Sequence, residues 1–277
     1  DEEFGRNLSE KWKECKKLFW EEDKKVRQGN QGSNKGVKDK NGRVLVEKGE
    51  KTNRWKEHFE ELLNVQSDRD ASISGWGMAG RRRGLRREEG ISRLEVVEAM
   101  KKIKMGKAPG TDGVCGEMLK YGGELVVDWI WKLCRLAWEE GRVPEDWKSG
   151  IIVPLYKGKG EREVCGNHRG ICLLSVIGKI YSRILINRVR EITEELVGEE
   201  QGGFRKGKGC VDQIFVLRSI IEKYLERGRK VYAAFMDLEK AYDRVDREGM
   251  WRVLRIYGVD GELLRAVKSM YEGARAA

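Results

Sequence analysis

Residues 231–236 (VYAAFM) form an apolar run that ends at Asp237, the first residue of the polar tract 237–243 (DLEKAYD). A carboxylate at the end of a buried strand is costly unless it is paired or binds a cation. Hard divalent ions such as Mg²⁺ take oxygen ligands and bridge to substrate phosphates. Two such ions ~3.5–4 Å apart can steady the attacking and leaving oxygens of a phosphoryl transfer. Asp237 could equally begin a turn or cap a helix, and both readings stay open at this level. Asp243 and Asp246 follow closely, but their spacing fits no calcium loop. Asp246 reads as the N-cap of the next helix.

A second group of charges lies upstream. Residues 150–156 (GIIVPLY) and 166–174 (GNHRGICLL) are apolar runs of strand type, separated by the charged turn 157–163, and read as an antiparallel hairpin. Lys157 and Lys159 fall in its tip and Arg169 on its returning strand. Arginine can grip a phosphate through two parallel hydrogen bonds, whereas lysine acts as a point charge. Cations on opposed strands could clamp a triphosphate; a solvated basic turn is the alternative.

The elements that must position these groups follow from periodicity. Residues 10–25 read as a charged helix, broken by the Gly/Asn/Lys tract 29–36. Asn41-Gly42 within residues 38–50 signals a short hairpin. Residues 55–63 place Trp55, Phe59, Leu62 and Leu63 on one helical face. Residues 67–90 are polar, hold Arg81, Arg82 and Arg83, and read as a linker. Ser92 and Glu95 form a capping box that opens a helix through Val96, Met100 and Ile103. Loop 107–113 (KAPGTDG) leads to helices over 117–120 and 125–139, the latter ending near Gly141. A long helix is expected over 175–197, with Ile177, Ile180, Tyr181, Ile184 and Leu185 inward. Another is expected over 211–225, with Ile214, Phe215, Ile221 and Tyr224 inward. A buried strand at 231–236, a helix from Asp246 to Tyr257 and a last helix capped by Asp260 complete an α+β chain, helices around a small sheet.

Composition narrows the partners. Against 46 Asp+Glu the chain has 56 Lys+Arg, for a net charge of +10. Excess cation favours a polyanion, because phosphate contacts release condensed counterions. None of the six cysteines forms a CxxC pair, and there are two histidines, which argues against zinc. Cys165, His168 and Cys172 are near neighbours without a fourth ligand at usable spacing. Unpaired cysteines suit a reducing compartment. No apolar run approaches the ~18 residues of a membrane span.

Five segments in order then become recognisable: 107–113 (KAPGTDG), 151–157 (IIVPLYK), 167–174 (NHRGICLL), 201–209 (QGGFRKGKG) and 235–243 (FMDLEKAYD). Together they resemble the reverse transcriptases of non-LTR (LINE-type) retrotransposons, from about Trp55 onward. The resemblance implies a right-hand polymerase fold, with fingers and the start of the palm in 91–277 and a helical, basic N-terminal extension and linker in 1–90. It implies copying of RNA into DNA with two Mg²⁺ ions and deoxynucleoside triphosphates, on an RNA template and a DNA primer, in nucleus or cytoplasm. Asp237 would be the first metal-binding, catalytic aspartate, with the Leu238 carbonyl as a further oxygen ligand. Tyr242 would lie under the sugar and exclude a 2′-hydroxyl; Arg169, with Lys157, would hold the triphosphate. Gln201, Gly203, Phe204 and Arg205 would border the template and nucleotide pocket. His168 and Gly170 depart from the family's frequent Tyr and Pro. No aromatic-x-Asp-Asp motif occurs in the 277 residues, so the chain is expected to be a truncated polymerase, inactive or nearly so alone. A non-catalytic RNA-binding relic is the alternative; a maturase-like intron protein fits segments 107–113 and 55–63 less well.

Overall fold

The computed structural model describes residues 36–64, 89–238 and 240–276. The helix expected over 10–25 and nearly all of the linker, including Arg81–Arg83, lie outside the described residues. Asn41-Gly42 turns a short hairpin of β1 (Val37–Lys38) and β2 (Val44–Leu45). The Asp39 carboxylate accepts from the backbone N–H of Asn41 and Arg43, and Gly42 takes φ +86°. That left-handed geometry is open to glycine at little cost. Helix α1 (Lys48–Leu63) follows at once, so residues 48–50 form its first turn rather than the end of the hairpin.

The core is helical. Ser92 and Glu95 make the expected capping box at the head of α2 (Arg93–Lys101). Helix α3 (Gly116–Tyr121) precedes α4 (Gly123–Glu140), which Gly141 ends at φ +62°. Ile130, Cys134, Ala137 and Trp138 recur at helical spacing on α4 and are buried with Val96, Ala99 and Met100 of α2. Helix α6 (Val176–Thr193) adds Ile180, Tyr181, Ile184 and Leu185, the inward set expected of it, although it ends four residues before 197. Helices α8 (Arg247–Ile256) and α9 (Gly261–Ser269) close the cluster with Trp251, Leu263, Leu264 and Ala266. Burying each such large apolar side chain is worth roughly 1.5–3 kcal/mol before entropy is counted.

One polar node ties these helices together. Arg188 of α6 donates to both Glu95 carboxylate oxygens (2.6 and 2.9 Å), to the carbonyls of Glu89 (2.8 Å) and Gly90 (3.0 Å), and lies over the Trp138 ring.

A short helix, α5 (Glu145–Lys148), runs directly into β3 (Ser149–Tyr156), which pairs antiparallel with β4 (His168–Leu173) from Ile151↔Leu173 to Tyr156↔His168. This is the expected hairpin, except that residues 166 and 167 belong to a 3₁₀ turn, Cys165–Asn167. Strand β5 (Arg275–Ala276) pairs parallel with the first two residues of β3, giving the order β4-β3-β5.

Three expectations do not hold. Residues 231–236 join no sheet, and Tyr232, Phe235 and Met236 are exposed, Met236 at 92%. A strand is stabilised by its ladder and its packed face, and no described segment supplies either. Helix α7 (Cys210–Glu226) forms where expected, but Ile214, Phe215 and Tyr224 are exposed, Ile221 is half-buried, and none of its residues is buried. Periodicity made it amphipathic without fixing what covers the apolar side. Asp260 holds the N-cap position of α9, yet its side chain makes no cap hydrogen bond. Among the described residues no helix is long and apolar enough to cross a membrane.

Candidate active site

The β3–β4 hairpin displays its charges unequally. Arg169 lies opposite Leu155, is exposed, and has no side-chain hydrogen bond or ion pair among the described residues. Lys157 is engaged: its Nζ donates to the Gly166 carbonyl (2.8 Å) and its backbone N–H to that of Asn167 (2.9 Å). Lys157 therefore closes the hairpin tip, while Arg169, like the exposed Lys159, has no side-chain partner among the described residues and can meet a ligand. Beside it, the His168 ring contacts Trp55 (centroids 4.9 Å) and Tyr156 (5.4 Å). Burial, followed by the opposing Val164 carbonyl contact and the nearby Arg162 and Lys157, leaves the His168 pKa below the ordinary value.

Asp237 is exposed and without a polar partner among the described residues. It caps no helix: the next one starts at Arg247, capped as expected by Asp246, whose carboxylate accepts from the N–H of Glu248 (3.2 Å) and Gly249 (2.9 Å). The turn that follows is made instead by Lys240, at φ +52°, whose carbonyl accepts from the N–H of Asp243 (3.0 Å) and Arg244 (3.1 Å). Leu238 is likewise exposed. Two hard oxygen donors, the Asp237 carboxylate and the Leu238 carbonyl, are of the type Mg²⁺ takes. They are an incomplete set: among the described residues no group of three or more His, Cys, Asp or Glu side chains is placed to hold a metal.

Segments 201–205 and 237–243 meet through two rings. Tyr242, 75% exposed, stands edge-on to Phe204 at 6.1 Å and 88°. Phe204 is 87% exposed and at φ +61°, a conformation uncommon for a bulky side chain and found where the surroundings hold it. The Gln201 amide turns back to the Gly203 carbonyl (3.3 Å). Arg205 is occupied differently: its guanidinium donates to the Glu194 carboxylate (3.0 Å) and to the carbonyls of Gly198 (2.8 Å), Val197 (3.3 Å) and Glu194 (3.4 Å). It satisfies carbonyls just beyond the end of α6, a need that every helix C-terminus has. Its structural role was not legible in the sequence, because nothing in a motif says which carbonyls a side chain will find.

The 107–113 loop sits under the hairpin's exit. At Gly110 an added Cβ would press on the backbone of Leu174 and Ser175, where β4 gives way to α6. Close approach of two backbones explains a glycine there. The sequence also missed the packing of α1 on the hairpin. Phe59 is buried, and Gly170 has no room for a Cβ because Phe59 Cε1 would be 2.7 Å away. The Trp55/Phe59 stripe was visible as a helical face, but not the surface it meets.

Residues 156–276 match the family described as "Reverse transcriptase (RNA-dependent DNA polymerase)". The chain is 28% identical over 191 residues to the "Probable RNA-directed DNA polymerase from transposon BS" of Drosophila melanogaster, covering 64% of this chain and 21% of that protein. It is 27% identical over 183 residues to the "RNA-directed DNA polymerase from mobile element jockey" of Drosophila melanogaster, covering 64% of this chain and 20% of the relative. A third relative, the "Transposon TX1 uncharacterized 149 kDa protein" of Xenopus laevis, is 25% identical over 200 residues, 72% of this chain and 15% of its own. The chain thus spans about a fifth or less of the length of these curated relatives. Over the matched part it is similar to the RNA-directed DNA polymerases of non-LTR retrotransposons.

Proposed function

We propose that the chain, with its reverse transcriptase match over residues 156–276, is the nucleotide-gripping part of an enzyme that copies retrotransposon RNA into DNA. The observation that carries this is Arg169: a guanidinium on the β3–β4 hairpin, without a side-chain partner among the described residues, within the series of segments that ends in the Asp237 tract. Arg169 binds the triphosphate of an incoming nucleotide. Tyr242, exposed beside Phe204, offers a flat ring against the sugar and selects deoxyribose by leaving no space for a 2′-hydroxyl. Lys157 acts on the nucleotide only indirectly, by keeping the hairpin tip closed. Mg²⁺, when bound, supplies charge neutralisation at the phosphates, with Asp237 and the Leu238 carbonyl as two of its ligands. The fold is the fingers and the start of the palm, and the RNA template, DNA primer and deoxynucleotides are the partners.

With one candidate aspartate at the tract and no aromatic-x-Asp-Asp motif in the 277 residues, this polypeptide binds nucleotide without extending a primer. The test is titration of the chain with fluorescent dATP and ATP in Mg²⁺, beside a primer-extension assay. Binding of dATP over ATP, narrowed by Tyr242→Ala, supports the reading. Robust, Asp237-dependent synthesis would overturn the expected inactivity. Binding of RNA without nucleotide would favour a non-catalytic RNA-binding relic, a reading that the incomplete metal-ligand set also fits.

A further inference from the structure

We propose that helix α1 is a working part of the nucleotide site: Trp55 and Phe59 are positioning residues that hold the backbone on both sides of Arg169 and so aim its guanidinium. This rests on the reading of Arg169 as the triphosphate ligand. Successive residues of a strand point to opposite faces, so His168 and Gly170 share one face of β4 and Arg169 points from the other. Helix α1 seizes that first face at both places. The Trp55 ring meets the His168 ring at 4.9 Å and 74°, and Phe59 lies so close to Gly170 that a Cβ there would come within 2.7 Å of Cε1 and 3.2 Å of Cζ. Trp55 and Phe59 are themselves stacked at 5.8 Å and 21°, so the two grips move as one.

The helix is in turn anchored to the hairpin's tip. The Lys38 backbone N–H donates to the Glu163 carbonyl (2.8 Å), the Lys38 ammonium pairs with Glu161, and Arg54 Nε donates to the Lys38 carbonyl (3.3 Å). Support is needed here. Strand β5 reaches only Ser149 and Gly150, so the end of the sheet that carries Arg169 is two-stranded, and an isolated two-stranded ribbon is marginal in water. A phosphate ligand on an unsupported ribbon would lose affinity to the ordering of that ribbon on binding. Packing on the face opposite Arg169 removes that loss without blocking the ligand. Residues 36–64, outside the segment matched to the polymerase family, thereby act on its nucleotide.

The experiment uses the full chain and a fluorescent 2′-deoxyadenosine triphosphate in Mg²⁺, with circular dichroism and thermal unfolding to verify that each variant is folded at the assay temperature. Loss of a charge-assisted phosphate grip makes Arg169→Ala about tenfold or more weaker in Kd. Phe59→Ala or Trp55→Ala weakens binding about three- to tenfold while Arg169 is present, and changes Kd no further in an Arg169→Ala background; that non-additivity is the mark of a residue acting through another. Gly170→Ala, which deletes no contact, also weakens binding by collision with Phe59, and weakens it no further in a Phe59→Ala background, where that collision is gone. An unchanged Kd in Phe59→Ala and Gly170→Ala, or full additivity with Arg169→Ala, overturns the positioning role while leaving the nucleotide site standing. An unchanged Kd in Arg169→Ala overturns the nucleotide reading itself, and the positioning role with it.

Discussion

Replacing Arg188 by alanine is the sharpest test of how the helical core is held. The guanidinium makes a two-point bond to Glu95, donates to two backbone carbonyls, and covers Trp138 with its centre 4.6 Å from the ring centroid. The two side chains are 19% and 29% exposed, so the pair lies between the surface case, worth ~0–1 kcal/mol, and the buried case, where removing one partner costs about 3–5 kcal/mol. The two carbonyl bonds add about 1 kcal/mol each, and the ring contact ~0.5–1 kcal/mol. Since Glu95 keeps its bond from the Ser92 backbone N–H (2.8 Å), it is not left wholly orphaned, and these contributions overlap. The expected loss is about 3 kcal/mol at neutral pH, the lower end of the buried-pair range.

The acid dependence checks the cause. Burial raises the Glu95 pKa, but the Arg188 bond and the Ser92 capping bonds outweigh it, so the folded carboxyl lies below its ordinary value. A depressed folded pKa contributes stability that is present above the unfolded pKa and is lost as pH falls through the folded one. The gap between wild type and Arg188→Ala, measured by urea unfolding, therefore stays constant from pH 7 to about the unfolded carboxylate pKa of ~4.3 and narrows only below it. A loss under about 0.5 kcal/mol, the scale of an ordinary surface change, or a gap that does not narrow in acid, refutes the argument.

Tyr181 is fully buried against Trp147, with a hydroxyl that has no hydrogen-bond partner among the described residues, and its pKa is raised chiefly by burial and then by Cys134. An unsatisfied buried hydroxyl costs about 1–3 kcal/mol, so Tyr181→Phe raises the thermal midpoint; a lower midpoint refutes it. Arg205→Ala frees the carbonyls beyond α6 and loses about 1–2 kcal/mol, read as faster amide exchange over residues 194–208. Burial, then the Glu95 charge, pushes the Cys134 thiol up to about 12. Cys134 therefore resists a thiolate-selective reagent until the chain unfolds, whereas exposed Cys210 is open to it and Cys172, whose thiol partial burial pushes up, reacts less readily than its exposure suggests, as peptide mapping of the labelled native protein will show. On α7, Phe215→Asp changes stability by about 0.5 kcal/mol or less, because that ring is 69% exposed, and light scattering shows a more soluble protein; a larger loss refutes the exposed placement.

Helices were legible where local chemistry and periodicity agreed. The Ser92/Glu95 box needs only four residues to be recognised, and its geometry formed as read. The inward set of α6 is a period that one helix face must bury somewhere, and the core cluster did bury it. The β3–β4 hairpin was equally visible, since its two runs are near in sequence and joined by a polar turn. Arg205 and Phe59 were not, because their partners lie at sites no periodicity names: carbonyls past a helix end, and a glycine in a strand more than a hundred residues away.

The strand expected at 231–236 shows where such reading stops. Its residues have strand composition, and so the expectation followed from propensity. A ladder, however, is a property of two segments, and among the described residues none lies alongside. The same argument explains α7, whose apolar side is patterned like that of α6 but, among the described residues, has no buried position. Asp237 sits between these two exposures. The chemical type of its carboxylate was legible from one residue and its position after an apolar run. The environment that would tune it was not, because surroundings of that kind are assembled from groups on several segments, which one residue's position does not name.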